Sequence, residues 1–325
     1  MPLRVGFITC AHVHTGSYVA CFGRHPHAEL VGLWDNLESR GRPYAESNGL
    51  AYFAHLSDLF DAVDAVVIVS ENLRHGEHIE AALMAEKHVL CEKPLVASAE
   101  EAEWVEKLLA GTAKTVMTAF PCRYAPGYLR LKERLQAGEI GRLRAVCATN
   151  RGTCPHLWFT DPEQSGGGAM IDHTVHVADL LRDLLEADPV RIQAQTGSNV
   201  YGKHWEDTAM LTLEFPNGVF ATVDASWSRP ASYKTWGDVT MNLVGETGVL
   251  ELDLFGSEVN VFHAGTPSHT VAGFGSDADF AMVSEFIEAV YESRQPRTSA
   301  HDGLQAAKIA LAGYRSLNQP EPATL

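Results

Sequence analysis

Short apolar runs alternate with helical stretches through the first 120 residues, and there the alternation stops. Residues 4–9, 29–34, 64–69, 88–90 and 115–119 read as short, buried strands. Residues 16–22, 78–87 and 99–110 read as helices, the last with Ser98 and Glu101 at capping-box spacing. Strands separated in this way by helices predict a parallel sheet of the doubly wound kind. After Asn150 the punctuation changes. Residues 190–196, 208–215, 219–227, 239–244 and 249–254 read as strands joined mostly by short turns. Pro216-Asn217-Gly218 and Gly245-Glu246-Thr247-Gly248 are hairpin signals among them. A helix over about 167–185 and two closing helices at 281–293 and 301–317 accompany these strands.

A chain of 325 residues exceeds one modest core, so two domains are expected. The predicted fold is α/β followed by α+β. Residues 1–121 form a Rossmann-type doubly wound parallel sheet, and residues 122–325 a domain built on a largely antiparallel open sheet. A formal charge of −16 argues against nucleic acid and anionic membrane surfaces as partners. No apolar run approaches the roughly 20 residues of a membrane helix. The N-terminus runs straight into a strand, with no room for a signal peptide. The six cysteines form no C-x-x-C pair and no metal-finger spacing. Free thiols in a reducing cytoplasm are the expectation.

Chemistry is expected where the strands of a doubly wound sheet end, because ligands bind in the crevice above them. Cys91-Glu92-Lys93-Pro94 closes the fourth strand, and its proline stops the ladder and fixes the turn. A glutamate and a lysine therefore leave the sheet together, as a site or as an ordinary strand-end ion pair. Asp35 closes the second strand, where an acid meets a dinucleotide's ribose hydroxyls. The same residue suits a helix cap. A carboxylate there repels a 2′-phosphate, which favours NAD over NADP, although Arg40 and Arg42 lie close by. The glycine fingerprint is missing: Thr9-Cys10-Ala11-His12-Val13-His14 fills all three glycine positions with other residues. Thr and Ala are small enough for a pyrophosphate to approach, whereas His14 crowds the helix–strand contact.

Taken with Lys93, these elements resemble the Gfo/Idh/MocA oxidoreductases, named for glucose-fructose oxidoreductase and inositol dehydrogenase. The likeness runs through residues 66–72 with His75, residues 89–94 with the E-K-P motif, and Phe120 with Arg123 and Pro126. It continues through Gly138-Glu139-Ile140-Gly141 and the Gly166-Gly167-Gly168 segment with Asp172, His176 and Asp179. Departures are the loop glycines, Thr174 where glycine is usual and Ser17 where histidine is common. The resemblance implies a first domain that binds NAD and a second that binds substrate and builds a homodimer or homotetramer through its sheet. It implies Lys93, Asp172 and His176 as catalytic residues. It places the cofactor against Thr9, Ala11, His12, Val13, Asp35, Ser70, Asn72, His75, Glu92 and Lys93. Arg123, His156, Asp172 and His176 are expected on the substrate, with no metal.

Asp172 and His176 are four apart, so they share one face of their helix, beside an apolar stripe of Ile171, Val175 and Ala178. Such a pair also stabilises a helix with no chemistry attached. Oxidising a secondary alcohol needs a base for the hydroxyl proton, and a histidine serves near neutral pH. A lysine polarises the oxygen. His173, about 100° round the helix, is expected to point elsewhere. Tyr124, Trp158, Trp205 and Trp236 are candidates for a pocket around a polyhydroxylated ring. The substrate expected is a sugar, cyclitol or glycoside. Two other readings stay open. His12 and His14 after a first strand resemble the metal site of β/α-barrel hydrolases, against which the hairpins of the second half count. A relative that binds sugar or nucleotide without turnover fits the eroded loop.

Overall fold

A computed structural model describes residues 1–263, 268–273, 277–319 and 321–325. The first sheet carries β1 (Leu3–Ile8), β2 (Ala28–Trp34), β3 (Ala51–Phe53), β4 (Ala65–Ile68), β5 (His88–Cys91) and β6 (Val116–Thr118). Its helices are α1 (Thr15–Arg24), α2 (Glu38–Ser47), α3 (Leu56–Ala62), α4 (His75–Met84) and α5 (Ala99–Ala110). The strand order is β3-β2-β1-β4-β5-β6, all parallel. The order reverses between β1 and β4, and a crevice opens at the ends of those two strands. Strand β3 did not stand out in the sequence because it is three residues long and only half-buried at an edge. Phe7, Val67 and Leu90 face one layer of helices and Ile8, Val66 and Val89 the other, which accounts for the apolar, non-alternating runs.

Helix α6 (Pro126–Gln136), which begins on a proline at its first turn, leads to the second sheet. That sheet holds β7 (Leu143–Thr149), β8 (Arg191–Gly197), β9 (Thr208–Glu214), β10 (Phe220–Asp224), β11 (Thr240–Gly245) and β12 (Val249–Asp253). A single turn, α7 (Pro162–Ser165), and helix α8 (Ala169–Leu185) lie between β7 and β8. The order is β12-β11-β7-β10-β9-β8, antiparallel except that β7 and β10 run parallel. Strand β7 lies inside the sheet, before the change of pattern read after Asn150; its buried Leu143, Val146 and Ala148 do not keep strict alternation, because the register shifts near its start. Strands β13 (Glu258–His263) and β14 (Ser268–Gly273) form a separate hairpin.

One face of the second sheet packs under α8 and α10 (Ala300–Ser316), with Val146, Leu211, Val223 and Leu243 meeting Met170, Ile171, Ile309 and Ala310. On the other face Met210, Phe220, Val244 and Val249 stand exposed. Helix α9 (Ala278–Glu292) returns to the first sheet, where Met282 and Phe286 join Phe7, Tyr18 and Phe22. An open sheet of this order is not a closed barrel, so the barrel hydrolase is excluded.

Candidate active site

Strand β5 ends at Cys91, and Glu92 and Lys93 emerge above the sheet before Pro94. Both side chains are buried. Lys93 Nζ reaches across to helix α8 and donates to Asp172 Oδ1 at 2.6 Å and to its carbonyl at 3.3 Å. Three glycines make the start of α8 possible. Gly166 has φ +77, a Cβ at 167 would strike the Tyr314 hydroxyl, and one at 168 the Glu206 carbonyl. The helix is then buried from Ala169 to Leu181, deeper than an apolar stripe alone predicts.

Asp172 is held on every side. Its Oδ2 accepts from Trp227 Nε1 at 3.0 Å and lies 3.3 Å from His173 Nε2. Burial works to raise the Asp172 carboxyl, but Lys93, His173 and Trp227 more than offset it and hold the group well below the ordinary carboxylate range. His173 therefore belongs to the site, contrary to expectation. Its Nδ1 lies 2.8 Å from the Asn150 carbonyl, which turns the ring back towards Asp172. His176 lies one turn on, with its ring 6.0 Å from Phe120. Burial, with Lys93 and His173 nearby, lowers its imidazole well below the usual value. Among the described residues its Nδ1 has no hydrogen-bond partner. These side chains line a cleft of about 510 Å³ together with His12, Val13, His14, Asn150, Phe159, Trp236 and Asp279.

On the first sheet, the loop after β1 takes the place of the missing fingerprint. Thr9 adopts φ +66, the left-handed conformation that the first glycine would adopt freely. The Ala11 carbonyl accepts from Trp158 Nε1 at 3.1 Å, which pins the loop to the second half of the chain. Helix α1 follows His14 without a side-chain cap among the described residues. Asp35 is buried at the end of β2, and its carboxylate accepts from the N–H groups of Cys10 and Leu37 at 3.0 and 2.8 Å. Arg40 grips both Asp35 oxygens at 2.9 Å and reaches Glu71 at 2.8 Å. The doubt over Arg40 thus has a structural basis, but two carboxylates face one guanidinium.

Residues 3–120 match an oxidoreductase family with an NAD-binding Rossmann fold, and residues 128–251 match the GFO/IDH/MocA C-terminal domain. Inositol 2-dehydrogenase 2 of Saccharopolyspora erythraea is 34% identical over 78% of this chain and 74% of its own. The chain belongs to the GFO/IDH/MocA oxidoreductase family. Inositol 2-dehydrogenase 1 of the same organism is 29% identical over 99% of this chain and 96% of its own. GenD2 from gentamicin A biosynthesis, solved in complex with NAD, shares the fold with a TM-score of 0.89 at 22% identity. That likeness covers 100% of this chain and 96% of the other.

Several residues assigned by resemblance to the GFO/IDH/MocA pattern lie away from the cleft. Arg123 is buried against Asp179, with 2.7 Å bonds to both carboxylate oxygens, and also binds the Arg297 carbonyl. It joins α8 to the loop before α10 and is not among the residues that line the cleft. His156 is exposed and packs on Tyr201; its neighbour Pro155 lines the cleft instead. Ser70, Asn72 and His75 are buried and committed within the protein. Ser70 Oγ bonds His78 at 2.9 Å, Asn72 donates to the Ser165 carbonyl at 2.9 Å, and His75 Nδ1 lies 2.8 Å from the Pro94 carbonyl. They shape the end of β4 and the Lys93-Pro94 turn, whose peptide bond is cis. Of the pocket aromatics, Trp236 lines the cleft, Trp205 packs on Trp227, and Tyr124 bonds Thr298. Trp227 was read as the last residue of a strand over 219–227 and not as part of the site; β10 ends at Asp224, and the chain beyond it turns the indole towards Asp172.

Proposed function

We propose that this oxidoreductase interconverts a secondary alcohol and a ketone on a cyclitol or sugar, with NAD as partner. The observation that carries this reading is the meeting of Lys93, from the end of β5, with Asp172 and His176, from helix α8, around one cleft. The names of the inositol dehydrogenases above support a cyclitol as substrate class. The nucleotide fits: the uncapped start of α1 suits the diphosphate, Asp35 the ribose, and Val13 and His14 line the way to Lys93. When bound, NAD supplies the hydride acceptor.

The protein's own residues do the rest. His176, neutral at physiological pH and part of the cleft lining, takes the hydroxyl proton. Lys93 donates to the substrate oxygen and stabilises the charge that grows on it. Asp172, fixed by Trp227 and His173, orients Lys93. The apolar walls of Phe159, Val239 and Leu254 exclude water from the exchange. Incubation with NAD and a panel of cyclitols and aldoses, read by NADH absorbance, tests the reading. Turnover of a cyclitol or sugar is expected; micromolar NAD affinity with no turnover across the panel leaves a binding protein instead.

Asp35→Ser is expected to weaken NAD and strengthen NADP, shifting their affinity ratio by at least about tenfold, or ~1.4 kcal/mol. The change leaves Arg40 with Glu71 as its one carboxylate partner, beside the Asn36 amide oxygen, and frees it for a 2′-phosphate. Titration calorimetry with both nucleotides measures this, and an unchanged ratio removes Asp35 from the ribose site.

The exposed row of Met210, Phe220, Val244 and Val249 supports assembly through the second sheet, as a dimer or tetramer. Phe220→Glu with Met210→Glu is expected to shift the sedimenting species to monomer. All six cysteines are free, which supports residence in the cytoplasm.

A further inference from the structure

One cluster beside the cleft is not used by the chemistry above. His12 and His14 stand on the loop after β1, and Glu92 comes to them from β5, 78 positions away from His14. Glu92 Oε1 lies 2.8 Å from His14 Nδ1 and 3.5 Å from His12 Nδ1. One ligand atom from each of the three residues falls within 4.8 Å of the others. Tetrahedral coordination with bonds of ~2.0–2.1 Å places donor atoms about 3.3 Å apart, so an ion is admitted when the 2.8 Å pair opens and the wider separations close.

We propose that His12, His14 and Glu92 bind one divalent transition-metal ion, of the Zn²⁺ or Co²⁺ type, with a coordination position left for an oxygen ligand in the cleft. Two imidazoles and a carboxylate are borderline donors that suit these ions over Mg²⁺ or Ca²⁺. Three protein ligands are the complement of an open site, in which water or a substrate oxygen takes the fourth position. Both histidines line the cleft that Lys93, Asp172 and His176 also line.

Three features point to a ligand instead of a plain ion pair. Glu92 Oε2 accepts the Lys93 backbone N–H at 2.9 Å, which aims Oε1 at the two imidazoles. The His12 ring is wedged against Phe159, 5.2 Å between centroids, and its Nδ1 takes the His14 backbone N–H at 3.2 Å. Its Nε2 is buried and, among the described residues, has no partner at all. A buried polar nitrogen left so is uncommon, and coordination through it takes the tautomer protonated at Nδ1, which gives up the bond from the His14 N–H. His14 is half-open to solvent, which gives an ion a way in.

The proposal does not rest on the sugar-dehydrogenase reading, and its test uses neither nucleotide nor substrate. The full chain, without a histidine tag, is stripped with chelator and titrated with Co²⁺ while visible d–d bands are followed. One equivalent per chain is expected, with bands of tetrahedral intensity that Zn²⁺ abolishes by displacement. His14→Ala and Glu92→Gln are each expected to weaken Co²⁺ at least about tenfold, with melting transitions as controls for folding. Because the wild-type titration stands without either variant, a variant that fails to fold does not shield the idea. Wild-type protein that takes up no stoichiometric Co²⁺ overturns it, as does a folded variant that binds as well as wild type.

Discussion

Lys93→Met is expected to lower kcat by roughly 10²–10³-fold, the effect of removing one donor to a developing oxyanion, or about 2.7–4 kcal/mol. Among the described residues that line the cleft, Lys93 is the only one with an ammonium, and it reaches there from the end of β5 while its partner Asp172 stands on helix α8. Two costs follow from its removal. Substrate oxygen loses its donor, and Asp172 loses the cation that holds its carboxyl down. The second cost falls on stability, about 3–5 kcal/mol when one member of a buried pair is removed. Lys93→Met with Asp172→Asn separates them. The double variant is expected to regain most of the lost melting temperature and none of the turnover. A Lys93→Met enzyme that turns over near the wild-type rate removes Lys93 from the chemistry, whatever its stability.

The core of this site was legible because its parts sit at places where secondary structure dictates direction. A charged pair followed by proline at a strand end has only the crevice to enter. Asp172 and His176, four apart on one helix, share a face by helical geometry alone. Parallel strands with two apolar faces were equally plain. What lay hidden depended on tertiary contact. His173 is about 100° from its neighbour on the helix, and only the carbonyl of Asn150, on a distant loop, brings it to Asp172. Trp227 reaches the same carboxylate from beyond β10.

Polar residues near a strand end misled in the opposite sense. Ser70, Asn72 and His75 occupy the right stretch of chain, yet His78 pairs with the Ser70 hydroxyl, the Asn72 amide N–H goes to the Ser165 carbonyl, and backbone carbonyls hold His75. Arg123 was drawn away by three carboxylates, those of Asp179, Asp183 and Asp302. The pattern of a motif records which residues recur near a site, not which of them have a hydrogen bond to spare.

His176→Asn is expected to reduce kcat/KM for alcohol oxidation by about 10²–10⁴-fold, the span of a positioned general base. The pH profile carries the sharper test. Burial, with Lys93 and His173 close by, lowers the His176 imidazole well below its ordinary value. It therefore stays neutral and able to accept a proton at pH values where a free histidine, near 6.5, is already charged. The acid limb of the wild-type profile should lie below that value, and in His176→Asn the limb should vanish. Stability must be followed over the same range, because it changes in the same direction. Burial pushes His12 and His78 down to about 3, and His176 is lowered as well. Their folded-state values lie below the unfolded value, so the unfolded chain takes up protons first. The stability they contribute is complete above about pH 6.5 and is lost progressively as the pH falls towards the folded-state values. Asp172 and Glu92, both held low in the fold, contribute stability that is lost only at pH below the unfolded carboxylate range. A fall in rate that tracks the melting temperature belongs to the buried histidines together, whereas one that appears while the protein stays folded, and disappears in His176→Asn, belongs to the base. If wild type and His176→Asn share the same acid limb, the proton leaves by another group, and His14 beside Glu92 is the next to replace.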